Sequence, residues 1–296
     1  MNKTKRLLIL PIVLLVILVI VLIGVMYAVI NHNFNLNFEI GKELIYEYDY
    51  NEVEIDKISI NSNKSDIRFE KSPNNKFGIK VYGNSNKNKE IKSYIKDTTL
   101  EIIFKDLQDN NFFLFGNYSN LIKVFVPENY EQKININCQH GDIDLSYVNN
   151  YETNINIEHG DININNMKNV NIVSQHGDIK LGNIENSLKL SVQHGDLFAN
   201  SISGSFSISQ IHGDSKINRA YINKDSVITT EHGDISIDET SNICVISNTQ
   251  HGDCNIRNNN KSSNIKLTAQ TSFGDIRVNV NDKIPSENII NEIKDR

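Results

Sequence analysis

The pattern that decides the fold lies in the stretch Ile155-Asn156-Ile157-Glu158-His159-Gly160-Asp161-Ile162-Asn163-Ile164. Apolar and polar residues alternate on both sides of a His-Gly-Asp tripeptide. An alternation with a period of two is typical of a β-strand with one buried face. Glycine between the two alternating segments permits a corner or a close approach of two backbones. The stretch therefore predicts two short strands that meet at a corner.

The same tripeptide recurs through the second half of the chain at intervals of 17–22 residues. It begins at His140, His159, His176, His194, His212, His232 and His251, and an eighth copy begins at Phe273. Self-similarity at a period near 20 residues is typical of a solenoid. We therefore predict an all-β protein, a single-stranded β-solenoid (β-helix) of about eight rungs spaced about 4.8 Å apart. Variable connections such as 146–152 and 183–187 should separate the repeats, and consecutive copies should lie directly over one another.

The remaining segments predict how the chain is organised. Residues 7–30 carry no charge and are long enough to cross a membrane as a helix, but longer than the apolar core of most signal peptides. Positive charge precedes this segment, at Lys3, Lys5 and Arg6. This bias predicts a single-pass cell-membrane protein with a cytosolic N-terminus and an extracellular C-terminal region. The predicted parts are a cytosolic tail (1–6), a transmembrane anchor (7–30), a linker (31–45), a degenerate β region that caps the solenoid (46–130), the repeat solenoid (131–281), and a C-terminal cap or tail (282–296).

The Gly-Asp pairs have a sufficient structural interpretation as corners. Glycine supplies a positive φ or room for a neighbouring backbone, and aspartate can accept a hydrogen bond from its own backbone two residues on, in an Asx-type turn. The predicted corner residues are Gly141, Asp142, Gly160, Asp161, Gly177, Asp178, Gly195, Asp196, Gly213, Asp214, Gly233, Asp234, Gly252, Asp253, Gly274 and Asp275.

The histidines share the parity of the buried positions, so we expect their rings to point into the interior and to stack in a column. Phe273 in the eighth copy suggests that this position accepts a planar apolar ring. Two alternatives remain open. Imidazoles from adjacent rungs could bind zinc, nickel or copper, with the seven histidines as candidate ligands. Alternatively, protonation of the column could make the protein sensitive to pH.

Composition and repetition disfavour several functions. Each corner has one Gly and one Asp, which provides few oxygen ligands for calcium. An active site needs distinct residues in distinct roles, whereas every histidine here has the same neighbours. We therefore predict no enzyme activity and no cofactor; an extracellular carbohydrate-active enzyme is the remaining catalytic alternative.

A net charge of −6 gives no reason to expect nucleic acid as a partner. The three cysteines form no C-x-x-C pair, so neither a zinc site nor a disulfide framework is indicated.

Three groups of motifs carry a family resemblance. They are the strand pair Ile58-Ser59-Ile60 and Ser65-Asp66-Ile67-Arg68-Phe69, the strand Val124-Phe125-Val126-Pro127, and Gly-Asp-Ile-x-Ile half-repeats such as Gly160-Asp161-Ile162-Asn163-Ile164. From about residue 40 to residue 280, the chain resembles the bacterial "putative adhesin" family of surface β-strand-repeat domains of unknown function. The resemblance implies a membrane-tethered or secreted protein linked to adhesion or to cell-envelope stress. It implies no catalytic residues.

These observations favour a non-catalytic binding or scaffold module at the bacterial cell surface. Its expected partners are the membrane, through the N-terminal helix, and a cell-wall polymer, another cell surface or a membrane protein. The alternative is a metal- or pH-responsive surface protein that uses the histidine column. We expect the ligand on a polar outward column next to the histidines. That column consists of Gln139, Glu158, Gln175, Gln193, Glu231 and Gln250.

Overall fold

The computed structural model describes residues 42–51, 54–84, 88–107, 120–128 and 130–281. Within these ranges the chain is all-β, as predicted, and contains no helix. The strands are β1 (Glu43–Tyr50), β2 (Lys57–Lys71), β3 (Phe77–Gly83), β4 (Lys89–Lys96), β5 (Thr99–Asp106), β6 (Asn120–Val126), β7 (Lys133–His140), β8 (Ile143–Leu145), β9 (Asn150–His159), β10 (Ile162–His176), β11 (Ile179–His194), β12 (Leu197–His212), β13 (Ser215–Ile222), β14 (Ser226–His232), β15 (Ile235–Ser241), β16 (Cys244–His251), β17 (Cys254–Arg257), β18 (Lys266–Phe273) and β19 (Ile276–Asn281).

Four predicted segments cannot be compared fully with this description. The cytosolic tail (1–6), the transmembrane anchor (7–30), most of the linker and the C-terminal cap (282–296) lie outside the described residues. In the part of the chain that is described, no helix combines the length and hydropathy needed to span a membrane.

Each repeat forms one rung of a parallel stack. The first arm of a rung precedes the His-Gly-Asp corner and the second arm follows it. Between neighbouring rungs, first arms pair in parallel and in register, as in Ile155 opposite Ile172 and Ile172 opposite Leu190. Second arms pair in the same way, as in Ile162 opposite Ile179. In-register pairing places like residues directly over one another, so the alternation of each repeat becomes a set of columns.

The apolar columns of both arms form one buried cluster inside the coil. Ile134, Ile155, Ile172 and Leu190 all lie at exposures between 0% and 2%. Burying such a side chain contributes about 1.5–3 kcal/mol relative to leaving it exposed. A single repeat could bury little of this surface by itself, so stacking supplies most of the stability of each rung.

The chain before the first His-Gly-Asp copy supplies the first rung and one end of the stack. Strand β2 bends at Lys64-Ser65-Asp66 and pairs with β7 and β8 on one edge. On its other edge, the first arm of β2 pairs with β5 and the second arm pairs with β6, both in parallel. Antiparallel strands then complete this end, with β4 on β5, β3 on β6, and β1 on β3.

The expectation that consecutive copies lie directly over one another is correct from His140 to His232 and wrong for the last two copies. Strand β14 pairs with β18 instead of β16, and β16 lies on the far side of β18. The second arms follow, because β19 lies between β15 and β17. The Phe273 rung is therefore inserted between the rungs of His232 and His251. Among the described residues, no strand pairs with the outer edge of β16 and β17.

One predicted connection is also wrong. Residues 183–187 are part of the continuous strand β11, which runs through the bend between two rungs. Asn183 pairs with Asn166 there, so the backbone ladder is maintained. The connection predicted at 146–152 is a turn at Ser146–Asn149 only, because β9 starts at Asn150. The polar residues that suggested loops therefore occupy outward positions of strands.

Candidate functional site

The glycines of the corner column are required by conformation and by space. Their φ angles lie between +126° and +150°, a region that side chains of L-residues rarely adopt. A Cβ on Gly177 would point at the carbonyl oxygen of Gly160 in the neighbouring rung, well inside van der Waals contact. The N–H of Gly160 in turn donates to the carbonyl of His176 at 3.0 Å. Both reasons that the sequence suggested for glycine therefore hold at this corner.

The aspartates link the rungs to each other. The N–H of Asp161 donates to Oδ1 of Asp142 at 2.9 Å, and the N–H of Asp178 donates to Oδ1 of Asp161 at 2.8 Å. The expected Asx-type turn within each repeat is therefore wrong, because the parallel stack brings the next aspartate N–H within reach of each carboxylate. The same bond, at 2.8–3.2 Å, runs through the whole column. Its members in spatial order are Asp66, Asp142, Asp161, Asp178, Asp196, Asp214, Asp234, Asp275 and Asp253.

Crowding near the start of this column affects the ionisation of Asp142. The pKa of Asp142 is raised, first by partial burial and then by the negative charges of Asp66 and Asp161. The hydrogen bond from the N–H of Asp161 acts in the opposite direction, because it favours the ionised carboxylate. The column therefore places negative charges close together along one side of the corner.

The histidines stack as predicted but face the solvent. Ring centroids of adjacent members are 4.6–4.9 Å apart, and their planes lie within 13° of each other. Six of the seven rings are exposed and that of His232 is partly exposed. The expectation of an inward column is therefore wrong. The alternation ends at the corner, because Ser174 is buried whereas both Gln175 and His176 are exposed.

Phe273 takes part in this column as the sequence suggested. Its ring lies 4.8 Å from that of His232 on one side and 4.8 Å from that of His251 on the other. It is 46% exposed, so the position accepts an apolar ring at the surface. The stack is therefore held by contact between the ring faces and does not depend on imidazole nitrogens.

The geometry gives no support to metal binding at this face. Within the described ranges, no three or more His, Cys, Asp or Glu side chains are grouped so that they could hold a metal ion. Stacked rings direct their nitrogens side by side, whereas a metal site needs donors that converge on one point. The three cysteines are free, and only Cys138 is buried.

The outward column beside the histidines leads into a groove at the first rungs. Of its members, Gln139, Gln175, Gln193, Glu231 and Gln250 are exposed and Glu158 is partly exposed. Gln139 and Glu158 line an open groove of about 380 Å³. Sequence reasoning missed the rest of this groove, because its lining comes from β2, β5, β7 and β9, and no repeat motif marks the β2 and β5 residues. The other lining residues are Asn61, Ser62, Asn63, Lys105, Asn137, Cys138 and Asn156.

Comparison with known families identifies this architecture. The profile of the family described as Toastrack DUF4097 matches residues 55–288. The chain belongs to this family. The match covers the first rung, the antiparallel end strands β3 and β4, and every His-Gly-Asp copy. The resemblance to surface β-strand-repeat domains that the sequence motifs carried is thereby confirmed.

Several solved structures are similar to this Toastrack chain at low identity. A protein from Bacteroides fragilis named "putative adhesin" is 18% identical, with 79% of this chain and 96% of that chain covered and a TM-score of 0.40. A protein of the same name from Parabacteroides merdae is 14% identical, with coverages of 79% and 95% and a TM-score of 0.41. A "putative cell adhesion protein" from Clostridium sporogenes is 15% identical, with coverages of 80% and 99% and a TM-score of 0.31. Among curated proteins, none is significantly similar.

His194, at the centre of the histidine column, should make the Toastrack fold slightly less stable in acid. The pKa of His194 is lowered from 6.5, first by desolvation and then by repulsion from His212 and His176. Because the folded pKa is below the unfolded one, the unfolded chain binds protons first as the pH falls through about 6.5. Stability is therefore highest above this pH and declines below it. We expect a slightly lower melting temperature at pH 5.5 than at pH 7.5, measured by circular dichroism.

The variant His194→Phe tests the cause of this decline. Phe273 shows that the column accepts this ring, so the variant should keep the stack while removing one central charge. We expect its drop in melting temperature between the two pH values to be smaller than that of the unmodified chain. Equal drops in both proteins would show that groups other than His194 determine the acid sensitivity.

Proposed function

We propose that this Toastrack chain is a non-catalytic binding module. In this proposal, residues 7–30 anchor it in the cell membrane with the N-terminus in the cytosol, and the rungs lie outside the cell. The observation that carries the proposal is the in-register repetition of exposed polar side chains on successive rungs, as at Gln175 and Gln193. Side chains repeated in this way suit a ligand that is itself repetitive, such as a cell-wall polymer or the surface of another cell.

Repetition also explains how weak contacts could give useful attachment. When one contact forms, the neighbouring contacts become intramolecular and the total avidity rises without any strong individual site. The resemblance to surface adhesion domains supports this reading. Catalysis is less well supported, since the histidines from His159 to His212 have only other imidazoles as neighbours along the column and an active site needs different groups that converge.

Retention on isolated bacterial cell walls tests this function. The full chain in detergent micelles is mixed with washed walls, sedimented and quantified. We expect the unmodified chain to sediment with the walls. We expect a severalfold smaller retained fraction for the triple variant Gln175→Ala, Gln193→Ala and Glu231→Ala, because it removes outward groups from three rungs.

A matched control places three alanines on the outward face of the second arms. The variant Asn163→Ala, Lys180→Ala and Ser236→Ala changes residues that stand in one outward column there. We expect it to be retained like the unmodified chain. Failure of the unmodified chain to sediment with walls, or equal losses in both variants, would contradict the proposal.

A second candidate function is supported by the exposed imidazole column. Six imidazole rings lie on contiguous rungs from His140 to His232, with centroids 4.6–4.9 Å apart. Five of them are exposed to solvent and that of His232 is partly exposed. A pH-responsive surface protein would use the protonation of this column to change its attachment. Wall retention measured at pH 7.5 and pH 5.5 distinguishes the two functions. A change that His194→Phe reduces favours the responsive function, and no change favours simple binding.

A further inference from the structure

The groove at the first rungs has the features of a ligand site. It is an open depression of about 380 Å³ on the outward face of the first arms, and it spans three successive rungs. Asn61, Asn137 and Asn156 lie in register in its floor, since Asn61 is opposite Asn137 and Asn137 is opposite Asn156. All three side chains are exposed. The floor is therefore a short ladder of amides at strand spacing, about 4.8 Å.

These three amides differ from other amides on the stack. None of them hydrogen-bonds to another described residue, whereas Asn183 donates to Asn166 at 2.8 Å and Asn171 donates to Asn154 at 3.3 Å. An amide side chain offers two N–H donors and an acceptor oxygen. The amides of the groove floor therefore keep both kinds of group available to a ligand.

One wall of the groove is held in place by a pair of hydrogen bonds. The Nδ2 of Asn63 donates to the carbonyl of Asp106 at 2.9 Å, and the N–H of Asp106 donates to Oδ1 of Asn63 at 2.8 Å. This pair fixes the end of β5 beside the corner of β2 and so positions Lys105 along the groove. A wall that is already in place reduces the conformational entropy lost on binding.

The charge of the groove is balanced. Lys105 and Glu158 are the charged side chains of its lining, and they have opposite signs. A polyanion would meet one cation and one carboxylate on a chain of net charge −6, so it would gain little from electrostatics. A neutral ligand that both donates and accepts hydrogen bonds fits this lining better.

We propose that this groove binds a neutral polysaccharide segment that carries hydroxyl and acetamido groups. The proposal rests on the proposed binding function and names its ligand class and site. In an extended β-1,4-linked pyranose chain the rise per sugar is close to the strand spacing, so successive sugars, which face alternately in opposite directions, can each meet one of Asn61, Asn137 and Asn156. Glu158 can accept from a hydroxyl, and Lys105 can donate to an acetamido carbonyl.

Calorimetric titration of the full chain in detergent micelles with a β-1,4-linked N-acetylglucosamine hexamer tests this site. The variant Asn137→Val and Asn156→Val removes two amides of the floor. Val173 occupies the next position of this column and is exposed, so valine is compatible with the strand. We expect the affinity for the hexamer to fall at least tenfold. We expect the melting temperature to stay the same.

The control variant Ser191→Val and Ser209→Val changes the same column two and three rungs beyond the groove floor. Its affinity should stay within twofold of the unmodified value. Binding should also be nearly the same between about 50 mM and about 500 mM salt, because screening acts on charged contacts. A glycerol phosphate polymer serves as the anionic probe and should bind more weakly than the hexamer.

The outcomes separate the two proposals. If the unmodified chain is retained on walls but does not bind the hexamer, or if it prefers the anionic probe, the groove proposal is wrong and the binding function stands. Equal losses in the two valine variants would also overturn the groove proposal. If the hexamer binds but walls do not retain the chain, the groove proposal stands and the surface-binding function fails.

Discussion

Replacing Gly177 by alanine should destabilise the stack by about 2–5 kcal/mol. Its φ of +131° strains any residue with a Cβ, and that Cβ would meet the carbonyl of Gly160 in the neighbouring rung. Gly160 lies between the paired strands β9 and β10, and its N–H is bonded to the carbonyl of His176. Its carbonyl therefore cannot move away without disturbing these bonds. A loss of this size should lower the melting temperature on the order of 10 °C in a protein of this length.

The same substitution at Gly78 is the matched control. A Cβ there would lie 2.8 Å from Oδ1 of Asp49, the end of an exposed side chain, and 3.6 Å from Cβ of Phe125. The φ angle of Gly78 is not positive, so its backbone conformation causes no strain in a residue with a side chain. We expect a loss below about 1 kcal/mol. Similar melting temperatures for the two variants would show that the corner backbone adapts to a side chain.

Replacing Phe104 by alanine should destabilise the first-rung end by about 3–5 kcal/mol. The ring is fully buried and lies on β5 opposite Ser62 of β2. Its removal leaves a cavity between strands that are fixed on both edges, since β5 pairs with β2 on one side and with β4 on the other. Chemical denaturation followed by circular dichroism measures the loss.

Phe198→Ala provides the comparison for this prediction. Phe198 is 39% exposed and stands in an outward column of the second arms. Its removal takes away less buried area and leaves no closed cavity, so the expected loss is about 1 kcal/mol or less. Comparable losses at both positions would show that the first-rung end is loosely packed and does not stabilise the stack.

The columns of the fold could be predicted because residues at equal positions of successive repeats form each column. Ile155, Ile172 and Leu190 hold the same place in successive copies, and parallel in-register pairing turns equal places into a column. The half-repeat at Ser65-Asp66-Ile67 was also recognisable in the degenerate region. The structure places Asp66 at the head of the aspartate column, where its Oδ1 accepts from the N–H of Asp142 at 3.2 Å.

The histidine face could be predicted only in part. Stacking follows from equal spacing, but the direction of His176 does not, because the glycine that follows it changes the path of the backbone and ends the alternation. The bonding of the aspartates was missed for a related reason. An aspartate carboxylate can accept a hydrogen bond from a backbone N–H of its own rung or of the neighbouring rung. Which bond forms depends on how the two rungs are positioned.

The sequence by itself determined the β class, the rung length, the glycine corners and the identity of each column. These are properties of a local pattern with a fixed period, and a one-residue shift would expose the buried set. Tertiary structure alone decided the insertion of the Phe273 rung between those of His232 and His251, the outward histidines and the amide groove. The rung insertion and the groove depend on residues that are distant in the chain and meet only after the coil has formed: β18 with β14, and Lys105 with Asn137 and Asn156. The outward histidines depend on the path that the backbone takes at the glycine corner.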